Sequence, residues 1–319
     1  MSSSISRQNN PVLQKIVKGY TPVGFIREEI LPKIIVKARK GDILSADSKF
    51  LRIHNNVTVK RSTTPEITFS TSIVNGWNVE DKGLKMIVTA EDGANWDPTN
   101  ASAGMLSAKA TMSKLVRQSE MLGNEFSLAT VIQDAANYAA GNKVTLSGTD
   151  QYNDYANSDP IGDFQIANRA IRAATGLLPN KAVMSWEVWD VLRFHPSILA
   201  LVGTNKDKLT GVSVDQLAMV MGVDSISIGK VFYNSAKGGQ TKIMTPIWGK
   251  KIMFMYVNPN PSPEVFEDSF GNTFTFDNLS VDSWKVDDPK DAEFVRVTES
   301  YDDVIRDFNA GYLITDAIA

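Results

Sequence analysis

The sequence contains no cysteine and two histidines, His54 and His195. The first absence excludes disulfides, thiolate nucleophiles and cysteine-ligated zinc. The two histidines lie in different regions, and neither belongs to an HExxH pattern or another paired-ligand spacing. No GxGxxG or GxSxG occurs, and Gly229-Lys230 runs into Val231 without the upstream glycine of a phosphate loop. Long apolar runs are also missing. SILALVG around Leu199 and KIMFMYV around Phe254 are far too short to span a bilayer. The opening MSSSISRQNNP lacks the apolar core of a signal peptide. A chain free of cysteine suits a reducing cytoplasm. These absences point to a soluble, non-enzymatic protein in which no catalytic, cofactor-binding or metal-ligating residue is identifiable.

What is present is ordinary for a globular chain: 319 residues, 43% hydrophobic and 22% charged. That length holds two domains, or one with elaborations. The net charge of −3 conceals an asymmetry. Residues 1–61 carry a strong excess of Lys and Arg over four acids, Glu28, Glu29, Asp42 and Asp47, whereas residues 264–319 hold fourteen acids against four bases. The ends could be two solvated faces, complementary surfaces that attract between copies, or a basic arm for nucleic acid.

Residues 1–40 read as irregular and extended, and Gly41–Pro65 as a polar hairpin that packs little against its own domain. Period-two alternation marks Glu66–Ser72 and Leu84–Ala90. A long helix follows, capped by Ser102 or Asn100 and running from about Met105 to Ala140, where Gly141-Asn142 stops it. Met112, Leu115, Ser119, Leu122, Phe126, Ala129 and Ala136 share its expected buried face. Beyond a polar loop (142–160), helices are expected over Phe164–Thr175, Trp186–Phe194 and Val214–Met221. Lys181–Ser185 reads as a buried strand. Val223–Ile228, Val231–Asn234 and Lys251–Val257 read as strands of one sheet, and the remainder alternates as antiparallel strands.

Three groups could carry chemistry. The acidic loop EDGANWDPTN (91–100), with Asp92 and Asp97, is the most ligand-like, but its Gly93 and Asp97-Pro98 step are what a turn before a helix cap needs, and that is the favoured reading. Adjacent acids such as Glu28-Glu29, Asp287-Asp288 and Asp302-Asp303 point to opposite sides of a strand and read as solvated surface. Trp186, Trp189 and His195 could form a ligand cage. The plainer reading puts Trp189 with Val188 and Leu192 on an apolar helix face, and His195 at a helix terminus beside the negative end of the dipole.

The stretch LLPNKAVMSWEVWDVLRFHPSIL resembles a segment of tailed-phage major capsid proteins of the HK97-like fold. PEITFSTSIVNGWNVEDKGLKMIVTAEDGANWDP (65–98), YTPVGFIREEILPKIIVKARKGDI (20–43), IWGKKIMFMYVNPNPSPE (247–264) and VTESYDDVIRDFNAGYLITDAI (297–318) are similar to other family segments, in the family's order. The resemblance implies an α+β fold: an N-terminal arm (1–38) reaching another subunit, an extended loop (39–75) over a neighbour, a peripheral domain (76–155) with a spine helix over about 103–140, an axial domain (156–258), and return strands of the peripheral domain (259–319). It implies a head protein that self-assembles through hexamers and pentamers into an icosahedral shell around double-stranded DNA. The implied partners are the chain itself, a portal, a separate scaffolding protein, packaged DNA held by non-specific contact, and a decoration protein, with no membrane and no cofactor. The implied location is the virion, assembled in the bacterial host cytoplasm. An encapsulin-type compartment shell is the alternative on the same fold. Some relatives cross-link a loop lysine. Lys49 and Lys60 lie in the loop region here, but no catalytic glutamate can be placed with them.

Overall fold

The computed structural model describes residues 8–20, 22–46, 71–203, 211–261, 269–276, 279–286 and 292–319. The N-terminal segment comprises β1 (Gln8–Asn9), α1 (Pro11–Lys18), α2 (Arg27–Ile30) and β2 (Lys33–Ile35). After β3 (Lys40–Ala46), β4 (Thr71–Asn78) and β5 (Glu80–Val88), the short helix α3 (Ala90–Trp96) leads into the long α4 (Ala101–Gln133). Then come β6 (Lys143–Thr145), α5 (Pro160–Thr175), β7 (Lys181–Ser185), α6 (Trp186–Leu192), α7 (Pro196–Val202) and α8 (Val214–Met221). The chain closes through β8 (Ser225–Gly229), β9 (Phe232–Asn234), β10 (Met244–Pro246), β11 (Ile252–Met255), β12 (Gly271–Thr275), β13 (Ser280–Val286), β14 (Ala292–Ile305) and β15 (Gly311–Thr315).

Two sheets organise these elements. The six-stranded one runs β1-β13-β14-β12-β2, with β5 on the other edge of β14; the five-stranded one runs β6-β15-β11-β7-β8. β7 and β8 are parallel, and the helices between them form the crossover. Valines of β13 and β14 (Val281, Val295, Val297), Val88 of β5, and Ala108 and Val116 of α4 pack with Leu13 and Val17 of α1. A second core places α5, α6, α7 and α8 on the five-stranded sheet. The junction core joins both halves: Leu128, Ala129 and Ile132 of α4 meet Ile26 and Ile30 near α2, Phe270, Ile305 and Leu313.

Several expectations change. α4 ends at Gln133, short of Ala140, because side chains take over its terminal carbonyls. The Asn137 amide donates to Val131 O, Tyr138 Oη to Ile132 O and Lys251 Nζ to Gln133 O, while Asp134 caps a tight turn over Ala135–Asn137. At about 1.5 Å per residue α4 is still roughly 50 Å long. Its expected apolar face is met only in part: Ala129 is buried and Met112 and Leu122 pack against the cores, but Leu115 and Phe126 are exposed and Ala136 lies past the helix. The buried stripe instead runs through Ala108, Ser113, Val116, Arg117, Glu120, Asn124, Glu125, Leu128 and Ile132.

β9 does not join β8 and β11 but forms a separate hairpin with β10. β6 and β15, expected in the peripheral domain, belong to the five-stranded sheet, so the chain crosses between sheets after Ile305. The N-terminal segment from Asn10 to Val36 lies on its own chain rather than extending away. Leu13, Val17, Ile30 and Leu31 are at most 1% exposed, and each such burial contributes roughly 2 kcal/mol of transfer free energy.

β8 ends where backbone and indole come into close contact. A Cβ at Gly229 would stand 1.9 Å from Cδ1 of Trp248, which is itself fully buried. Gly229→Ala must displace that indole from the junction core, so the thermal midpoint is expected to fall by an amount equivalent to about 2–3 kcal/mol. Differential scanning calorimetry of the variant against the parent checks this.

Candidate assembly surfaces and the buried ionic latch

The polar residues in the α4 stripe bind the N-terminal segment to β14. Arg27 Nη2 donates to both carboxylate oxygens of Asp303, at 3.0 and 3.2 Å, with both side chains nearly sealed from solvent. Thr273 Oγ1 donates to the same carboxylate at 2.6 Å. The Arg27 guanidinium lies 3.9 Å from the Tyr301 ring centroid, and Lys82 Nζ lies 4.0 Å from it. Glu125 holds the backbone beside Arg27: it accepts from Ile26 N (3.3 Å), Arg27 N (2.9 Å) and Trp248 Nε1 (2.8 Å). Arg117 bridges Glu120 and Glu299 at 2.9 and 3.1 Å. Asn124 donates to Glu299 and accepts from Tyr301 Oη at 2.6 Å. Lys33 closes the outer side against Glu28 (2.8 Å) and Glu299 (3.7 Å), beside a cleft of about 320 Å³ that Lys18, Tyr20 and Met121 also line.

Burial sets the direction at the two α4 carboxyls. It pushes the Glu125 carboxyl up, against the three hydrogen bonds that hold it down. It pushes Glu120 up as well, against Arg117 and with help from Glu299. Glu120 Oε1 has no hydrogen-bond partner. Outside the core the order reverses, and the hydrogen bond from Lys33 lowers Glu28.

The residues singled out by sequence fall elsewhere and do not converge. Trp189 is buried with Val188 and Leu192, whereas Trp186 is partly exposed with Lys230 Nζ 5.0 Å from its ring. His195 is buried between hydroxyls, with Nε2 3.0 Å from Ser158 Oγ, Nδ1 2.7 Å from Ser197 Oγ and the Tyr155 ring edge-on. Burial holds its imidazole below the ordinary value, against the pull of Asp159, and His195 stands at the N-cap of α7. The acidic loop is spent on caps. Asp92 completes the capping box with Thr89, and Asp97 accepts from Thr99 and Asn100, the α4 cap. Asp303 is not solvated surface, since it pairs with Arg27, and Asp302 accepts from Asn78 N. His54, Lys49, Lys60, Asp287 and Asp288 lie outside the described residues. Among the described residues no group of three or more acids and histidines is placed to hold a metal ion, and no helix is long and apolar enough to cross a membrane.

Sequence reasoning missed the latch itself. Its one legible signal was a run of polar residues at helical spacing, Arg117, Glu120, Asn124 and Glu125, on an otherwise apolar stripe.

The surface carries large apolar side chains on both halves of the molecule. Val23 is 98% exposed, Met219 80%, Ile35 74% and Leu201 61%. On the outer face of the six-stranded sheet, Trp284, Phe294 and Ile87 form one cross-strand row. Lys85 lies over Phe294 and Arg296 over Trp284.

No protein-family model matches the chain. It is similar to the major capsid protein of Burkholderia phage BcepMu, 27% identical over 312 residues, covering 96% of this chain and 95% of that one. It is equally similar to the major capsid protein of Pseudomonas phage JBD67, at 27% over 318 residues and 97% of each chain. The chain is related to the phage major capsid proteins and has the HK97-like fold. The crystal structure of a phage-related protein from Bordetella bronchiseptica RB50 shares that fold with a TM-score of 0.71, at 23% identity over 98% of each chain. The relatives are phage proteins, which does not favour the compartment-shell alternative.

Two outcomes follow for a capsid-type subunit built this way. Arg27→Met, which strands a buried Asp303 carboxylate, is expected to lose about 3 kcal/mol or more. Arg27→Met with Asp303→Leu is expected to recover most of that loss, as read from denaturant midpoints. His195 gives a pH signature. A base whose folded value lies below its unfolded one binds more protons when unfolded, so its contribution is full above about pH 6.5 and is lost as pH falls below that. Urea midpoints of the parent are expected to drop more steeply than those of His195→Gln between about pH 7.5 and 5.5.

Proposed function

We propose that the chain is the major capsid protein of a tailed phage, and that many copies assemble into an icosahedral shell enclosing double-stranded DNA. The observation that carries this reading is similarity to two phage major capsid proteins along essentially the whole chain. Exposed apolar residues on both halves support it, because a subunit that contacts several neighbours through different surfaces must present several such patches. Modest contacts repeated over many copies then make a stable shell.

In this reading the six-stranded sheet with α4 is the peripheral domain and α4 its spine helix. The five-stranded sheet with α5, α6, α7 and α8 is the axial domain, whose exposed Leu201 and Met219 face other subunits. The role is structural, and the subunit becomes part of the virion after assembly in the bacterial host cytoplasm. Hexamers and pentamers, a portal, a separate scaffolding protein and a decoration protein are the expected partners.

Negative-stain electron microscopy of the purified chain, alone and with the scaffolding protein, tests the reading. Closed shells, or rings of five and six subunits, are expected. A chain that stays monomeric under both conditions would contradict it.

A further inference from the structure

From Ser225 to Pro263 the sequence contains five lysines and no Asp or Glu, in a chain whose net charge is −3. That stretch includes the β9–β10 hairpin, whose tip reads Ser-Ala-Lys-Gly-Gly-Gln-Thr-Lys-Ile over 235–243. Three of the five lysines are engaged within the chain. Lys230 lies over Trp186, Lys250 reaches Ala319 O, and Lys251 donates to the last carbonyl of α4. Lys237 and Lys242, at the tip, are exposed and have no acidic partner among the described residues.

The tip is held in a defined shape. Asn234 Oδ1 accepts from both Ala236 N and Ile243 N, closing the base of the loop. Ser235 N donates to Ile243 O, and the Ser235 and Thr245 hydroxyls meet at 2.9 Å. Gly239 takes a positive φ of 84°, which turns the chain between the two lysines. The base is anchored to the spine helix by an edge-on contact of Tyr233 with Phe126 at 5.2 Å. The hairpin therefore holds out two cations beside the exposed Gln240 and Thr241, with no acid paired to them among the described residues.

We propose that this tip contacts the phosphodiester backbone of the enclosed duplex, an assignment that rests on the capsid reading above. Lysine without paired base-reading groups suits a sequence-independent polyanion, whose binding is electrostatic and strongly salt-dependent. Strand residues Phe232 and Met244 beside the tip are also exposed, so contact with an acidic surface of a second copy is the competing occupant that the test must separate.

The test compares the full chain with Lys237→Gln/Lys242→Gln, both as shells and as unassembled subunits. Binding of a mixed-sequence DNA duplex is titrated against salt. The double variant is expected to form shells like the parent but to bind duplex more weakly. The slope of log K against log salt should shrink by about 1.8, at about 0.9 for each phosphate that a lysine no longer neutralises. Unchanged affinity and slope, or a parent that binds no duplex, would overturn the proposal while leaving the shell reading intact. Loss of shells with unchanged duplex binding would overturn it in favour of the second copy. If the parent itself forms no shells, the capsid reading fails separately, whatever the duplex titration gives.

Discussion

Arg27 and Asp303 meet in the interior, between an N-terminal segment and a strand near the other end of the chain, and the remaining packing is arranged around that pair. Glu125 fixes the backbone on one side of it by accepting from Ile26 N and Arg27 N, and the same carboxylate holds the Trp248 indole of the other half of the molecule. Glu299 and Tyr301, on the same strand as Asp303, reach Arg117 and Asn124 of the long helix. One polar network thus connects α2, α4, β14 and the loop before β11 that carries Trp248. Buried pairs of this kind add little net stability over an apolar substitute, but they are costly to break singly. What the network supplies is a set of polar contacts that tie α4 to β14 and to α2.

The opposed charges at the two ends of the sequence gain a different meaning from this arrangement. Complementary ends could have joined one copy to the next. Arg27 with Asp303 and Lys33 with Glu299 instead satisfy part of that complementarity inside one chain. A subunit latched in this way keeps its first helices on its own spine. The exposed apolar residues are left on the surface, outside that latch.

Local elements with a clear start and stop were legible from residue order. β7 and α8 fall where a short buried run and the Gly222 stop place them; Ser213 and Gln216 form a capping box at the start of α8, and Gly222 closes it in the left-handed region. The acidic loop's favoured reading, a turn before a helix cap, fits the structure, where Asp92 and Asp97 each serve a cap. The buried face of the spine was not legible, because hydrophobic periodicity assumes an apolar stripe. Here Arg117, Glu120, Asn124 and Glu125 occupy it, and, the Arg117–Glu120 pair apart, their partners lie more than ninety residues away in sequence. For the same reason Asp303 looked like surface. Strand partners failed similarly: β9 carries strand-forming residues like its neighbours, but pairing is decided by the Asn234 turn and the Phe126 contact. The family resemblance, rather than any motif for chemistry, supplied the function.

The central claim is that the N-terminal segment is latched to its own subunit. Lys33 and Glu299 are 3.7 Å apart across that latch, within reach of a zero-length carbodiimide cross-link. Isotopically light and heavy subunits can be mixed, assembled and cross-linked, and the Lys33–Glu299 peptide read by mass spectrometry. Light–light and heavy–heavy products alone are expected. Light–heavy products in statistical proportion would show that the segment crosses between subunits and would contradict the account.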